Sequence, residues 1–144
     1  MLNLLIEKIE NLCKKRGIKL TTQRRTVLGI MLKANKAMSA YDLLDLLKVS
    51  EPKAKPPTIY RALEFLLEQG FIHKVESSNS FIICPNFHDP EHISILFICD
   101  KCQQIIEKHS QDIETQLKQL AQQNEFLIKH SVLEIHGICQ SCQP

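Results

Sequence analysis

Two cysteine pairs carry the clearest chemistry in this 144-residue chain, Cys99-Asp100-Lys101-Cys102 and Cys139-Gln140-Ser141-Cys142, with 36 residues between them. In a CxxC turn the two thiolates converge, so each pair can chelate one ion. Four thiolates at about 2.3 Å make a closed tetrahedral zinc site with no position left for a substrate. Such a site is structural and would staple the strand near Ile98 to the C-terminal segment. The alternatives are a CxxC redox centre and two disulfides. A thioredoxin-type centre needs one pair at a helix N-terminus beside a strand, which leaves the second pair unexplained. Disulfides belong to exported proteins. The start, Met1-Leu2-Asn3-Leu4-Leu5-Ile6-Glu7, lacks a basic n-region and its apolar run breaks at a charge, unlike a signal peptide. No apolar run reaches the roughly 18–20 residues of a membrane span. These features point to a cytoplasmic protein with reduced or metal-bound thiols.

A second set of metal-ligand types is scattered: His73, Cys84, His92 and Glu107. Two imidazoles, one thiolate and one carboxylate suit zinc. Taken singly, each has a plainer explanation: a surface histidine, a small core hydrophobe, a solvated acid. Drawn together, they would link the two halves of the chain, a useful place for a switch.

The halves differ in charge. Residues 1–75 hold fourteen Lys/Arg and seven Asp/Glu, giving +7; residues 76–144 hold four and nine, giving −5. Five of six Cys and five of six His also lie after residue 75. In the basic half, a helix opening at Pro56-Pro57 has Ile59, Ala62, Leu63, Leu66 and Leu67 on its buried stripe. That leaves Thr58, Tyr60 and Arg61 outward near its N-terminus, just after Lys55. A recognition helix meets base edges with its N-terminal residues. Arg can pair bidentately with guanine, and Tyr and Thr can reach phosphate or a thymine methyl. Tyr41, Arg24 and Lys36 are further phosphate candidates. Arg25 reads as a structural or solvent residue. Phe65 is assigned to packing against the following hairpin, with no nucleic-acid role.

The positioning elements follow from periodicity and punctuation. A first helix carries Leu2, Leu5, Ile6, Ile9, Leu12 and Cys13 on one stripe and stops at Gly17. Thr21 or Thr22 caps a second, packed through Val27, Leu28, Met31 and Leu32. Ser39 caps a third, packed through Ala40, Leu43, Leu44 and Leu47. Gly70 closes the fourth. Phe71–Val75 and Phe81–Cys84 read as strands around Ser77-Ser78-Asn79, completing a winged helix-turn-helix. The acidic half reads β, α, β: a strand over Ile93–Ile98, a helix over Asp112–Gln123 with Ile113, Leu117 and Leu120 inward, and a strand over Val132–Ile135. The expected fold class is α+β. It comprises a DNA-binding domain over 1–84, a linker over 85–92 and a small α/β dimerisation domain over 93–144. A core of that size, with 6% aromatics and no Trp in the whole chain, needs metal and a partner copy to complete it.

Thr22-Gln23-Arg24, Ser39-Ala40-Tyr41-Asp42-Leu43-Leu44, Pro57-Thr58-Ile59-Tyr60-Arg61-Ala62-Leu63 and the two CxxC pairs resemble the ferric uptake regulator (Fur) superfamily. The stretch from Lys55 to Ser77 is most similar to its zinc branch, the zinc uptake regulators (Zur). The resemblance implies a homodimer of winged-helix domains joined by an α/β dimerisation domain, repressing transcription from palindromic operators when metal-loaded. It implies two Zn2+ per subunit. Cys99, Cys102, Cys139 and Cys142 match the structural ligands; His73, Cys84, His92 and Glu107 match the zinc-sensing ligands. Tyr41 and Arg61 match DNA contacts. Targets by resemblance are zinc-uptake genes, with no membrane and no small organic substrate involved. The chain departs from iron and peroxide sensors, which carry a His-His-Asp-His run where Ile93-Ser94-Ile95-Leu96 stands here. It also has Gln103 where relatives often have Gly, which would alter that turn. His88 is close enough to substitute for His92, and His88, His109, His130 and His136 have no matched role. The alternatives are a relative sensing iron, nickel or manganese, and a zinc-ribbon protein-interaction module without DNA binding. An enzyme would need zinc with an open coordination position.

Overall fold

Each helix begins and ends where local chemistry requires it. Helix α1 (Leu2–Arg16) buries Ile6, Ile9 and Cys13, and Gly17 ends it at φ +70°. Helix α2 (Thr22–Ala34) is capped by Thr21, whose hydroxyl accepts from the Arg24 N–H at 3.3 Å. Helix α3 (Ala40–Ser50) is capped by Ser39, whose hydroxyl accepts from the Asp42 N–H at 3.1 Å. Helix α4 (Pro56–Glu68) opens on two prolines, which have no N–H to leave unsatisfied in a first turn. The buried faces of the helices meet in one aliphatic core that includes Val27, Leu28, Leu43, Leu47, Ile59, Leu63 and Leu66. The computed structural model describes residues 2–85, 87, 92–129 and 131–144. Residues 86 and 88–91 of the expected linker, and with them His88, lie outside the described residues, as does His130.

The wing follows α4. Strands β2 (Ile72–Val75) and β3 (Ser80–Ile83) pair antiparallel around a short helical turn, with His73 opposite Ile82. A two-residue strand, β1 (Met38–Ser39), joins the far side of β3, giving the order β1-β3-β2. Periodicity did not reveal β1, because two residues hold no alternation. Phe65 packs against the core from α4, but the Arg24 guanidinium lies over its ring at 3.6 Å, a partner sequence reading did not anticipate.

The chain divides into two compact units, residues 1–88 and 89–144. In the second, β4 (Ser94–Cys99) lies between β5 (Ile105–Lys108), antiparallel to it, and β6 (Val132–Gly137), parallel to it. The parallel connection runs through α5 (Gln111–Gln123), capped by Ser110. Strand β5 is a four-residue addition to the expected β, α, β order.

One expectation fails here. Ile113 and Leu120 of α5 are exposed and Leu117 is only partly covered; the buried residue of the helix is Glu114. Its carboxylate accepts from the Lys118 ammonium at 2.8 Å and lies 2.9 Å from His109 Nε2, partners that make its burial tolerable. Phe97, Ile106 and Ile135 stand in one row across the sheet and are also exposed. Thus the apolar periodicity of this half marks a surface left uncovered by a single chain as well as a core. No helix among the described residues is long and apolar enough to cross a membrane.

Candidate metal centres and nucleic-acid face

The parallel pairing of β4 with β6 runs to Cys99 opposite Gly137, so the two CxxC segments emerge from neighbouring strand ends. The Asp100 N–H donates to the Gly137 carbonyl at 2.8 Å and ties the turns together. Ligand atoms of Cys99, Cys102, Cys139 and Cys142 all lie within 4.8 Å of one another. The Cys102 and Cys139 sulfurs are 3.7 Å apart. A tetrahedron with metal–sulfur bonds of about 2.3 Å has edges of about 3.8 Å, so this spacing fits zinc. None of the six cysteines forms a disulfide. Backbone N–H groups of Cys102 and Cys139 pull the Cys99 thiol down to about 6, the latter donating at 3.3 Å. The hydrogen bond with the Cys139 sulfur, then burial, pushes Cys142 up to about 12. The first proton leaves easily and the last is held, as expected where several thiolates need a divalent cation to coexist.

Gln103 takes the left-handed conformation, φ +65°, that glycine adopts most easily, and its side-chain amide donates to the Asp100 carbonyl at 3.1 Å. The turn therefore has a glycine-like backbone without glycine.

In the first unit, the ligand atoms of His73 and Cys84 lie within 4.8 Å of each other. His73 is the second residue of β2. Cys84 follows β3, is fully buried, and its N–H donates to the Phe71 carbonyl at 2.9 Å. His92 is buried just before β4, with Nε2 2.9 Å from the Ser94 hydroxyl and its ring 6.2 Å from that of His109. Nitrogen and thiolate donors in one cluster suit zinc over magnesium or manganese. Glu107, like His92, belongs to the second unit. It sits on β5 opposite Leu96, and burial raises its carboxyl to about 7 against the lowering effect of a hydrogen bond with Ser94. Ser94, buried between these two acid–base groups, is a residue sequence reading passed over. Its signal was present: it is the one polar member of Ile93-Ser94-Ile95-Leu96.

The first unit presents the nucleic-acid candidates. Tyr41 is 71% exposed at the start of α3 and Tyr60 50% exposed on α4. Lys55 and Arg61 are exposed beside Tyr60. Thr58 is partly covered, and its hydroxyl accepts from the Lys55 N–H at 3.2 Å, so it also builds the helix start. Arg24 is half-buried, stacked on Phe65 and bonded to the Lys19 carbonyl at 2.9 Å. Arg25 pairs with Glu10.

The model for the ferric uptake regulator family matches residues 15–136. The chain belongs to the ferric uptake regulator family. Among relatives of this family member, the zinc uptake regulation protein of Escherichia coli (strain K12) is 49% identical over 138 residues, covering 96% of this chain and 81% of that protein. A solved zinc uptake regulator complexed with zinc and DNA is 48% identical, with a TM-score of 0.91, covering 99% of this chain and 95% of that one. The crystal structure of holo XcZur is 37% identical, with a TM-score of 0.87 and 97% coverage of both chains. The α+β class and the winged helix-turn-helix agree with this membership. In this family member Ile93, Ile95 and Leu96 are buried core residues.

Proposed function

We propose that this chain is a zinc-responsive transcriptional repressor whose zinc-loaded homodimer binds palindromic operators of zinc-uptake genes in the cytoplasm. The observation that carries the proposal is the imidazole and thiol of His73 and Cys84 brought together in the first unit, in a chain about half identical to a zinc uptake regulation protein. Cys99, Cys102, Cys139 and Cys142 would hold one ion as a permanent staple. His73, Cys84, His92 and Glu107 would hold the sensed ion, two Zn2+ per subunit in all. A bound zinc ion supplies a Lewis-acidic centre that fixes these donors relative to one another.

The chain's own part is to arrange the donors better in the DNA-competent conformation than in others. Only that difference lets zinc shift the equilibrium. The uncovered row of Phe97, Ile106 and Ile135, with Ile113 and Leu120 on α5, supports a second copy as the partner. The roles expected on DNA are Arg61 and Tyr60 at base edges, with Tyr41, Lys55 and Thr58 at the backbone. The Thr58 hydroxyl uses its acceptor on Lys55 and keeps its own O–H for phosphate.

Cys84→Ser tests the reading. Bound zinc should fall from two ions per chain to one and the zinc response of DNA binding should vanish, while the dimer persists on size exclusion. Unchanged zinc content and response in that variant would refute it.

A further inference from the structure

Helix α4 has to present Tyr60 and Arg61 at a fixed angle, and its own sequence leaves its C-terminal end and its outer face to be held by other elements. Its last turn holds no basic residue to meet the carbonyl end of the helix. Its outer face carries a large ring, Phe65, only partly covered. Two arginines from other helices meet these needs. Arg24, from α2, lays its guanidinium 3.6 Å over the Phe65 ring, with one N–H aimed at the Lys19 carbonyl at 2.9 Å. Arg16, from the end of α1, donates to the Gln69 carbonyl at 2.7 Å and to the Gln69 side-chain oxygen at 3.2 Å. The same guanidinium lies 5.4 Å from the Phe71 ring, where the wing begins.

We propose that Arg24 and Arg16 are positioning residues for DNA reading. Arg24 clamps the middle of α4 through Phe65, and Arg16 clamps its C-terminal end through Gln69, rather than either serving as a phosphate contact. The inference rests on the DNA-binding reading above. The argument is geometric. Both arginines are partly covered, and each guanidinium donates to a backbone carbonyl of the protein. A planar, stacked guanidinium with directed N–H groups fixes orientation in a way an ammonium cannot. Leverage makes the orientation matter: Arg61 lies about 12 Å along the helix from Gln69, so a tilt of about 5° moves it by roughly 1 Å. That is enough to spoil a bidentate contact.

The test uses the full-length zinc-loaded protein and a duplex it selects from a random library. Affinities of Arg24→Lys, Arg24→Gln, Phe65→Leu and Arg24→Gln/Phe65→Leu are measured across salt concentrations, with melting curves as the folding control. A phosphate contact is kept by lysine, and its loss lowers the salt slope by about one. A stacked clamp is not kept by lysine and leaves the slope unchanged. The expected result is a three- to tenfold loss in Arg24→Lys, on the scale of a cation–π contact, with the wild-type slope. Phe65→Leu should lose a similar factor, and the double variant no more than the worse single. Full affinity in Arg24→Lys, a slope reduced by about one in Arg24→Gln, or additive losses in the double variant would overturn the proposal. If the unmodified chain selects no duplex, the DNA-binding reading itself fails, which is a distinct result.

Discussion

Substituting Cys102 by serine should unfold the second unit while leaving the first intact. The two units bury different amounts of apolar material. The first shares one extensive aliphatic core across α1 to α4 and the wing. In the second, the described buried hydrophobics are Ile93, Ile95, Leu96, Ile98 and Cys99. All five lie on β4 or one residue before it, so α5 and β6 add no fully buried hydrophobic side chain of their own. Structural zinc supplies on the order of 10–16 kcal/mol in small metal-dependent folds. An equal share per ligand puts one thiolate at roughly 2.5–4 kcal/mol, a large part of the 5–15 kcal/mol typical of a whole domain. Cys102 is exposed, so the serine adds no packing defect of its own. The assay is urea unfolding followed by circular dichroism, with size exclusion for the dimer. The expected outcome is loss of the dimer and of bound zinc, with the α1–α4 transition kept near its wild-type midpoint. A Cys102→Ser protein that remains dimeric and unfolds like wild type would refute this account of the cysteine cluster.

Three further outcomes follow from particular residues. With the four-cysteine site filled and the second site empty, Glu107 is held protonated to about pH 7 by burial, against an ordinary 4.5. The unfolded carboxyl ionises first, so this group's contribution is full below about pH 4.5 and is lost as pH rises to about 7. Urea midpoints at pH 5 and 7.5 should show that loss, and Glu107→Gln should remove it. Leu66→Ala, at a fully buried position of α4, should cost about 2–5 kcal/mol in thermal or urea unfolding. Arg61→Gln, at an exposed position of the same helix, should leave melting nearly unchanged while weakening operator binding by about 1–3 kcal/mol in a gel shift or anisotropy titration.

What could be read in the sequence was whatever is encoded locally. Thr21, Ser39, Pro56 and Gly17 mark helix ends through their own backbone chemistry, and the helices begin and end beside them. The cysteine cluster was legible because each CxxC brings its own pair together; only the pairing of the pairs needed β4 and β6 to run parallel. His73 and Cys84 carry no such spacing, and their proximity depends on the register of β2 against β3, which residue type does not state. Strands β1 and β5 were missed because two and four residues give too short a pattern. The face of α5 was misjudged for a physical reason. Ile113 and Leu120 have the spacing of a core stripe, but spacing does not distinguish a core from a surface that a second chain would cover. The charge that makes Arg24 a phosphate candidate is visible in sequence, and the ring beneath it is not.

The central claim is that zinc at the second site controls DNA binding. The most direct measurement is operator affinity of the protein with its four-cysteine site filled, across a buffered range of free zinc. The account predicts tightening by about five- to 150-fold, the usual span of a coupling energy, with one further ion bound per chain over the same range. An affinity that stays constant while that ion binds would contradict it.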